Sequence, residues 1–380
     1  MEKLYSLLSV VKRLIPGLFL LFPIGLWAQV TWHDAKAFRI MGRAMAEPLM
    51  ELVDSMVYTR LPWSKQADYR TELWTLGLHS AGVSVRFRSN SKAIGVRWTV
   101  RSNFGMNHMA ATGVRGVDLY VLDGETWLYA GTGIPGSSRE NEKTLISGMD
   151  GAEKEFLLNL PLYDGVVKLE IGIDSTAHIT TPLNPFPLSE KPIVCYGTSI
   201  TQGGCASRPG MAYPAIMERL LQREVINLGF SGNGRMDSSI CALMMQIDAG
   251  AYFVDCLANC TQEMVEQLGY NFINALVQEQ PNIPLYMVEQ QWTPVMLFNS
   301  YEAESTHKKN RTWKEIYERL FREGHQNLYY ISADKLTGDD NETTVDGVHL
   351  TDPGFLRLAK AFIAYMHTLN SDPRTHYLPE

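Results

Sequence analysis

The 380-residue sequence predicts an α/β domain preceded by an all-β sandwich. Three observations carry this. Apolar residues alternate with period two through the first half. A proline-dense stretch interrupts the chain near its middle. Beyond it, continuous apolar strands alternate with helix-length segments. The chain thus divides into residues 1–28, a sandwich over 29–188 and an α/β domain over 189–380. Two domains suit this length.

The elements follow in order. Lys3, Lys12 and Arg13 precede an uncharged run from Leu14 to Trp27, and Ala28 offers a small residue for cleavage before Gln29. Residues 1–28 therefore read as an export signal, and the mature protein as periplasmic or extracellular. The run holds Pro16, Gly17, Pro23 and Gly25 and is short for a bilayer span. An uncleaved anchor is the alternative; once the signal is removed, no integral span is expected. A helix over about Ala35 to Glu47 would end before Pro48. Val83, Val85 and Phe87 then alternate with Ser84, Arg86 and Arg88, and a turn follows at Asn90-Ser91-Lys92. Ile94, Val96, Trp98 and Val100 alternate with Arg97, Thr99 and Arg101, which predicts an antiparallel hairpin with one buried face. Val117 to Leu122 before Asp123-Gly124, and Val167 to Ile173, add strands of the same kind. The stretch His178 to Pro192, with Pro182, Pro185, Pro187 and Pro192, reads as the linker.

In the second half strands are expected at 192–196, 225–228, 252–257, 285–288 and 328–331. Helices are expected at 213–221, 238–247, 262–278, 312–322 and 353–369. Strands without polar alternation, separated by helices, make a parallel sheet covered on both faces. Sites in such sheets lie at the carboxyl ends of the strands.

Four motifs fall at such positions. Gly197-Thr198-Ser199-Ile200-Thr201 follows the first of these strands, and Asn227-Leu228-Gly229-Phe230-Ser231-Gly232 ends the second. Val254-Asp255-Cys256-Leu257-Ala258-Asn259 closes the third, and Asp346-Gly347-Val348-His349 precedes the last helix. Each alone also reads as turn or cap chemistry. Together they supply a serine nucleophile in an exposed turn, a backbone donor at Gly232 and a side-chain amide donor at Asn259. Asp346, three residues before His349, can reach one imidazole nitrogen and leave the other for Ser199. That set equips the chain for acyl transfer, and ester hydrolysis is the expected chemistry.

From about Lys191 onward the chain resembles the SGNH (GDSL-type) hydrolases on these four motifs. The resemblance implies a flavodoxin-like, three-layer α/β/α fold. It implies Ser199 as nucleophile, His349 as base oriented by Asp346, and an oxyanion hole from the N–H of Ser199, Gly232 and Asn259. The first half is similar to the jelly-roll-like β-domain with a Gly-x-Asp-Leu-Tyr motif, here Gly116-Val117-Asp118-Leu119-Tyr120. Thr198 replaces the family's aspartate before the nucleophile, and the third block reads Leu257-Ala258-Asn259-Cys260. Both variants look like the two-domain carbohydrate-esterase branch more than the lipase branch.

A net charge of −7 and the lack of a basic stripe argue against nucleic-acid partners. The basic run Lys308, Lys309, Arg311, Lys314 reads as a solvated helix face. Of five cysteines, Cys195 and Cys256 read as core residues; Cys256 and Cys260 lack the histidine partners of a metal site. The chemistry calls for no metal or cofactor. The expected substrate is a small-molecule or glycan ester of a short acyl group, acetyl above all. Trp292 either stacks on a sugar ring or belongs to the core. A lipase or lysophospholipase, and a degenerate hydrolase that only binds carbohydrate, are the competing readings.

Overall fold

The structure, a computed structural model, describes residues 29–371 apart from 46, 49–51, 184–189 and 335. The expected export signal lies outside the described residues, as does much of the linker.

Among the described residues, ten strands build the first half. They are β1 (Val30–Asp34), β2 (Arg39–Met41), β3 (Ser84–Ser89), β4 (Ala93–Val100), β5 (Val117–Asp123), β6 (Thr126–Gly133), β7 (Glu140–Ser147), β8 (Lys154–Asn159), β9 (Val166–Asp174) and β10 (Ile179–Thr180). They form two antiparallel sheets, ordered β1-β9-β4-β7 and β10-β3-β8-β5-β6, with β2 also on β3. Between them lie Val85, Phe87, Ile94, Val96, Trp98, Val100, Leu119 and Ile171, all buried. The period-two signal therefore marks the sandwich interior. The expected hairpin does not form: β3 pairs with β2, β8 and β10 and β4 with β7 and β9, so the turn at 90–92 crosses from one sheet to the other and the alternation marks the two facing inner surfaces. Two more expectations need correction. The helix over Ala35 to Glu47 is instead a single 3₁₀ turn, Ala35–Ala37, followed by β2. His178 to Thr180 is not linker, because β10 pairs with β3.

A further correction concerns the sheet's outer face. Ser84 and Arg86 were expected to face water, yet both are buried. Met41, Tyr120, Trp127 and Leu157 form a second apolar cluster on that face. The reason is tertiary: the second half docks there.

The second half holds a five-stranded parallel sheet of β11 (Ile193–Gly197), β12 (Val225–Gly229), β13 (Ala251–Asp255), β14 (Leu285–Val288) and β15 (Leu328–Ile331). Its order is β12-β11-β13-β14-β15, the doubly wound arrangement expected. The chain leaves β11 to one side and later returns to its other side. The end of β11 is thus the topological switch point, where such sheets open a crevice.

Among the described residues, two short helices of the first half, α1 (Thr71–Gly77) and α2 (Ala111–Val114), are followed by six in the second. These are α3 (Ser199–Gln202), α4 (Tyr213–Leu221), α5 (Ser238–Gln246), α6 (Gln262–Glu279), α7 (Ser300–Arg322) and α8 (Asp352–Ser371). Helix α7 starts well before the expected Thr312. Its first turns are polar all round, and Asn299 caps it by accepting from the N–H of Glu302. Lys309 is not on a solvated face: it is buried and its Nζ donates to the Leu257 carbonyl at 3.2 Å.

The two halves share a core. Leu61, Tyr69, Leu73 and Trp74 of the first half pack with Tyr196, Leu228, Phe230 and Met236 of the second. Arg60, fully buried, donates to the Leu76 and Asn227 carbonyls at 2.6 and 3.2 Å and to the Gly229 carbonyl at 2.5 Å. One arginine from the first half thereby ties off the end of β12.

Candidate active site

Ser199 opens α3 directly after β11. Thr198 caps that turn, its Oγ1 accepting from the N–H of Ile200 at 3.2 Å. The cap explains why threonine serves where the family's aspartate would stand: either side chain offers the accepting oxygen. Gly197 is required by space, since a Cβ there would lie 2.0 Å from Thr201 Oγ1 and 2.4 Å from the Asp255 carbonyl oxygen. The turn is packed against the end of β13, which fixes where Ser199 points.

His349 arrives from the loop before α8. Its Nε2 lies 2.9 Å from Ser199 Oγ and its Nδ1 lies 2.7 Å from Asp346 Oδ2. Asp346 Oδ1 accepts from the N–H of Val348 at 3.0 Å and of His349 at 2.8 Å. The carboxylate therefore folds its own turn and orients the ring it serves. Gly347 takes the left-handed conformation this turn needs, with φ of 88°. Partial burial opposes ionisation of Asp346, but the hydrogen bonds from the ring and the two backbone N–H groups outweigh it and hold the carboxyl down to about 2.

The two candidate donors lie on the loops after β12 and β13. Gly232, exposed, has φ of 68°. A Cβ there would meet nothing within 4 Å, so backbone conformation, not crowding, calls for glycine. Asn259 Oδ1 accepts from the N–H of Gly234 at 3.2 Å, which fixes the amide and directs its NH₂ away from that bond. The structure joins Ser199, His349 and Asp346 directly, while Gly232 and Asn259 stand on the loops that follow β12 and β13, the two strands beside β11.

Sequence reasoning missed the side chains that hold the donor loop. Gln202, fully buried, accepts from the N–H of Ser231 at 2.9 Å through Oε1. Its Nε2 donates to the Leu162 carbonyl at 2.9 Å and to His79 Nδ1 at 3.1 Å. Burial first, then Arg60, pushes His79 down to about 4, so the ring stays neutral and able to accept. Arg70 donates to Asn233 Oδ1 at 2.6 Å and to Asp237 Oδ1 at 2.7 Å. Arg70, His79 and Leu162 belong to the first half, so the β-domain braces the donor loop. No sequence period marks such contacts.

Asp118 and Tyr120 do not reach the triad. Alternation along β5 sends Val117 and Leu119 into the sandwich and Asp118 and Tyr120 to the second half. Asp118, fully buried, accepts from Arg208 Nη1 at 2.7 Å, the N–H of Gly210 at 2.9 Å and Asn159 Nδ2 at 2.9 Å. The motif clasps the 207–211 segment of the second half.

His108, from a loop of the first half, lies with its ring centroid 5.8 Å from that of His349. His108, Cys205, Asp346 and His349 offer ligand atoms within 4.8 Å of one another. The donor chemistry suits a triad better than a metal. Both nitrogens of His349 are engaged, and burial, then Asp346, pushes the Cys205 thiol up to about 11. Cys195 and Cys256 are fully buried, and the Cys260 thiol donates to backbone carbonyls of Cys256 and Gly234. Trp292 packs on His307, with ring centroids 5.1 Å apart.

Two clefts flank the triad. One, of about 420 Å³, is lined by Leu76, His79, Phe104, Met106, Tyr163 and Ser231. The other, of about 370 Å³, is lined by Ile200, Asp255, Ala258, Gln291, Thr293 and Val348 among others.

Comparison with known proteins places this arrangement. Residues 190–367 match the GDSL-like lipase/acylhydrolase family, and residues 30–179 match the Gly-x-Asp-Leu-Tyr N-terminus of SGNH-hydrolase-type esterases. A Bacteroides ovatus protein assigned as a GDSL-like lipase is 35% identical, with a TM-score of 0.84 over 90% of this chain and 98% of that one. The salicylyl-acyltransferase SsfX3 of a tetracycline biosynthetic pathway shares the fold at 15% identity and TM-score 0.70, over 90% of this chain and 98% of that one. A family two carbohydrate esterase from Clostridium thermocellum, solved with cellohexaose, does so at 14% and 0.53, over 77% of this chain and 93% of that one. No curated protein matches.

Proposed function

The chain belongs to the GDSL-like, SGNH-type ester hydrolases, and on that footing we propose an exported serine esterase that removes short acyl groups, acetyl foremost, from carbohydrate. The observation that carries the proposal is the relay of 2.9 and 2.7 Å from Ser199 through His349 to Asp346.

His349 Nε2 takes the proton of Ser199 Oγ as that oxygen attacks the ester carbonyl. Asp346, held ionised, stabilises the imidazolium. Charge on the carbonyl oxygen is met by the N–H groups of Ser199 and Gly232 and by Asn259 Nδ2. Collapse expels the alcohol, which takes the proton from His349 and leaves the acyl group on Ser199. Water, deprotonated by His349, then attacks the acyl-enzyme; the acid departs and Ser199 Oγ recovers its proton. These steps need no metal or cofactor.

Carbohydrate as the alcohol is supported by the likeness of the fold to a carbohydrate esterase solved with cellohexaose and by polar groups in one cleft. One observation favours a second reading: the cleft lined by Leu76, Phe104 and Met106 is apolar enough for a longer acyl chain. p-Nitrophenyl acetate, butyrate and octanoate, assayed with wild type and Ser199→Ala, separate the two. Acetate preference that vanishes with Ser199→Ala supports the proposal; octanoate preference supports a lipase. Export rests on the first 28 residues of the sequence, and N-terminal sequencing of secreted protein should then begin at Gln29.

A further inference from the structure

The second cleft contains polar groups that the triad does not use. Asp255 ends β13, paired in register with Gly197, and is 7% exposed. Its Oδ2 has no hydrogen-bond partner in the protein. Gln291, 5% exposed, leaves both Oε1 and Nε2 unpartnered, and Thr293, 7% exposed, leaves Oγ1 unpartnered. All three side chains line the same cleft, with Ile200 beside the nucleophile and Ala258 beside Asn259.

Buried polar atoms are nearly always paired, because an unpaired one forfeits its hydration for nothing. Four such atoms converging on one cavity fit a ligand that brings the missing partners. The set asks for a ligand that both donates and accepts: Gln291 alone presents an acceptor and a donor, and the Thr293 hydroxyl can serve as either. Burial, against hydrogen bonds from Thr201 and Tyr213, pushes the Asp255 carboxyl up to about 8, so at neutral pH it also presents a hydroxyl and a carbonyl. A neutral polyol matches this; the one cation in the cleft lining, Lys309, already donates to the Leu257 carbonyl and stands among the carboxylates of Glu302 and Asp346, which disfavour an anion. Val295 and Val348, both partly exposed, give the cleft an apolar wall.

We propose that this cleft is the subsite for the alcohol half of the ester, a neutral sugar ring whose hydroxyls pair with Asp255, Gln291 and Thr293 and whose carbon-bound hydrogens lie on Val295 and Val348. The inference rests on the esterase reading and gives that site its leaving group. The apolar cleft, which shares no lining residue with it, then takes the acyl group.

Direct binding tests this without relying on turnover. D-Glucose, D-galactose and D-xylose are titrated calorimetrically into the full-length mature protein and into Gln291→Leu and Thr293→Val. Binding of at least one sugar is expected, weakened about ten-fold by each substitution, the scale of one lost hydrogen-bonding group. Both variants should melt no lower than wild type, because each removes unpaired buried polar atoms; a purely structural role would lower melting instead. The inference is overturned if no sugar binds, or if binding is unchanged in both variants. Hydrolysis of glucose pentaacetate and p-nitrophenyl acetate, run beside this, tests the esterase reading separately. Sugar binding that depends on Gln291 in a protein that cleaves neither ester would leave the subsite standing and remove the esterase.

Discussion

Replacing Asp118 with alanine should unfasten the two halves. Asp118 is fully buried and accepts three hydrogen bonds, one of them from the Arg208 guanidinium. Breaking a buried ion pair by removing one partner costs about 3–5 kcal/mol, because the remaining charge loses its compensation. Arg208 keeps a hydrogen bond to the Tyr120 hydroxyl at 2.5 Å, and its side chain is 20% exposed. Both features soften the loss, so about 3 kcal/mol is expected. Asp118→Asn, which keeps one acceptor but no charge, should lose about half as much. The assay is urea unfolding followed by tryptophan fluorescence, read as the midpoint at unchanged slope. Activity should fall as well. The Ser207 N–H and hydroxyl both bond Asp352, three residues past His349, so loosening Arg208 loosens the loop that carries the base. A loss below about 1 kcal/mol for Asp118→Ala would refute the clasp.

Other outcomes follow from the same geometry. Asn259→Ala should lower kcat about 10²–10³-fold with little change in KM, as expected for a donor used mainly in the transition state. Steady-state kinetics on p-nitrophenyl acetate checks this, and a loss confined to KM would argue against the donor role. Glu218 is buried in α4, and burial, then Glu224, pushes its carboxyl up to about 8. Its folded value lies above the unfolded one, so its contribution is complete below pH 4.5 and is lost as pH rises toward 8. Glu218→Gln should remove that slope, worth up to about 1.4 kcal/mol per pH unit, and gain on wild type between pH 5 and pH 8 in chemical denaturation. Equal pH profiles for the two proteins would count against a neutral buried Glu218.

Much of this architecture was legible from residue patterns. Tyr213–Leu221, Leu285–Val288 and Leu328–Ile331 were read at their observed ends, because apolar runs and helical spacing record burial by one continuous core. The five catalytic candidates were legible because each falls at a strand end or helix entry. What stayed hidden depends on contacts between distant segments. Arg60, His79 and Arg70 look like surface residues in sequence, yet they carry the docking of one half on the other. The first turns of α7 lack an apolar stripe because their few buried residues, such as Thr306 and Lys309, are polar. No pattern in the sequence sets Gln291 and Thr293 apart, and Asp255 stands there only as a member of the third motif; the fold shows that all three are buried around one cavity.

The most direct test traps the covalent intermediate. Wild-type protein and Ser199→Ala are mixed with p-nitrophenyl acetate, quenched in acid within the first turnover, digested and examined by mass spectrometry. An acetyl group on the peptide carrying Ser199 in wild type, and on no peptide of Ser199→Ala, is the expected result. Turnover with no acetyl group on Ser199, or with Ser199→Ala as active as wild type, would contradict the proposed nucleophile and the mechanism built on it.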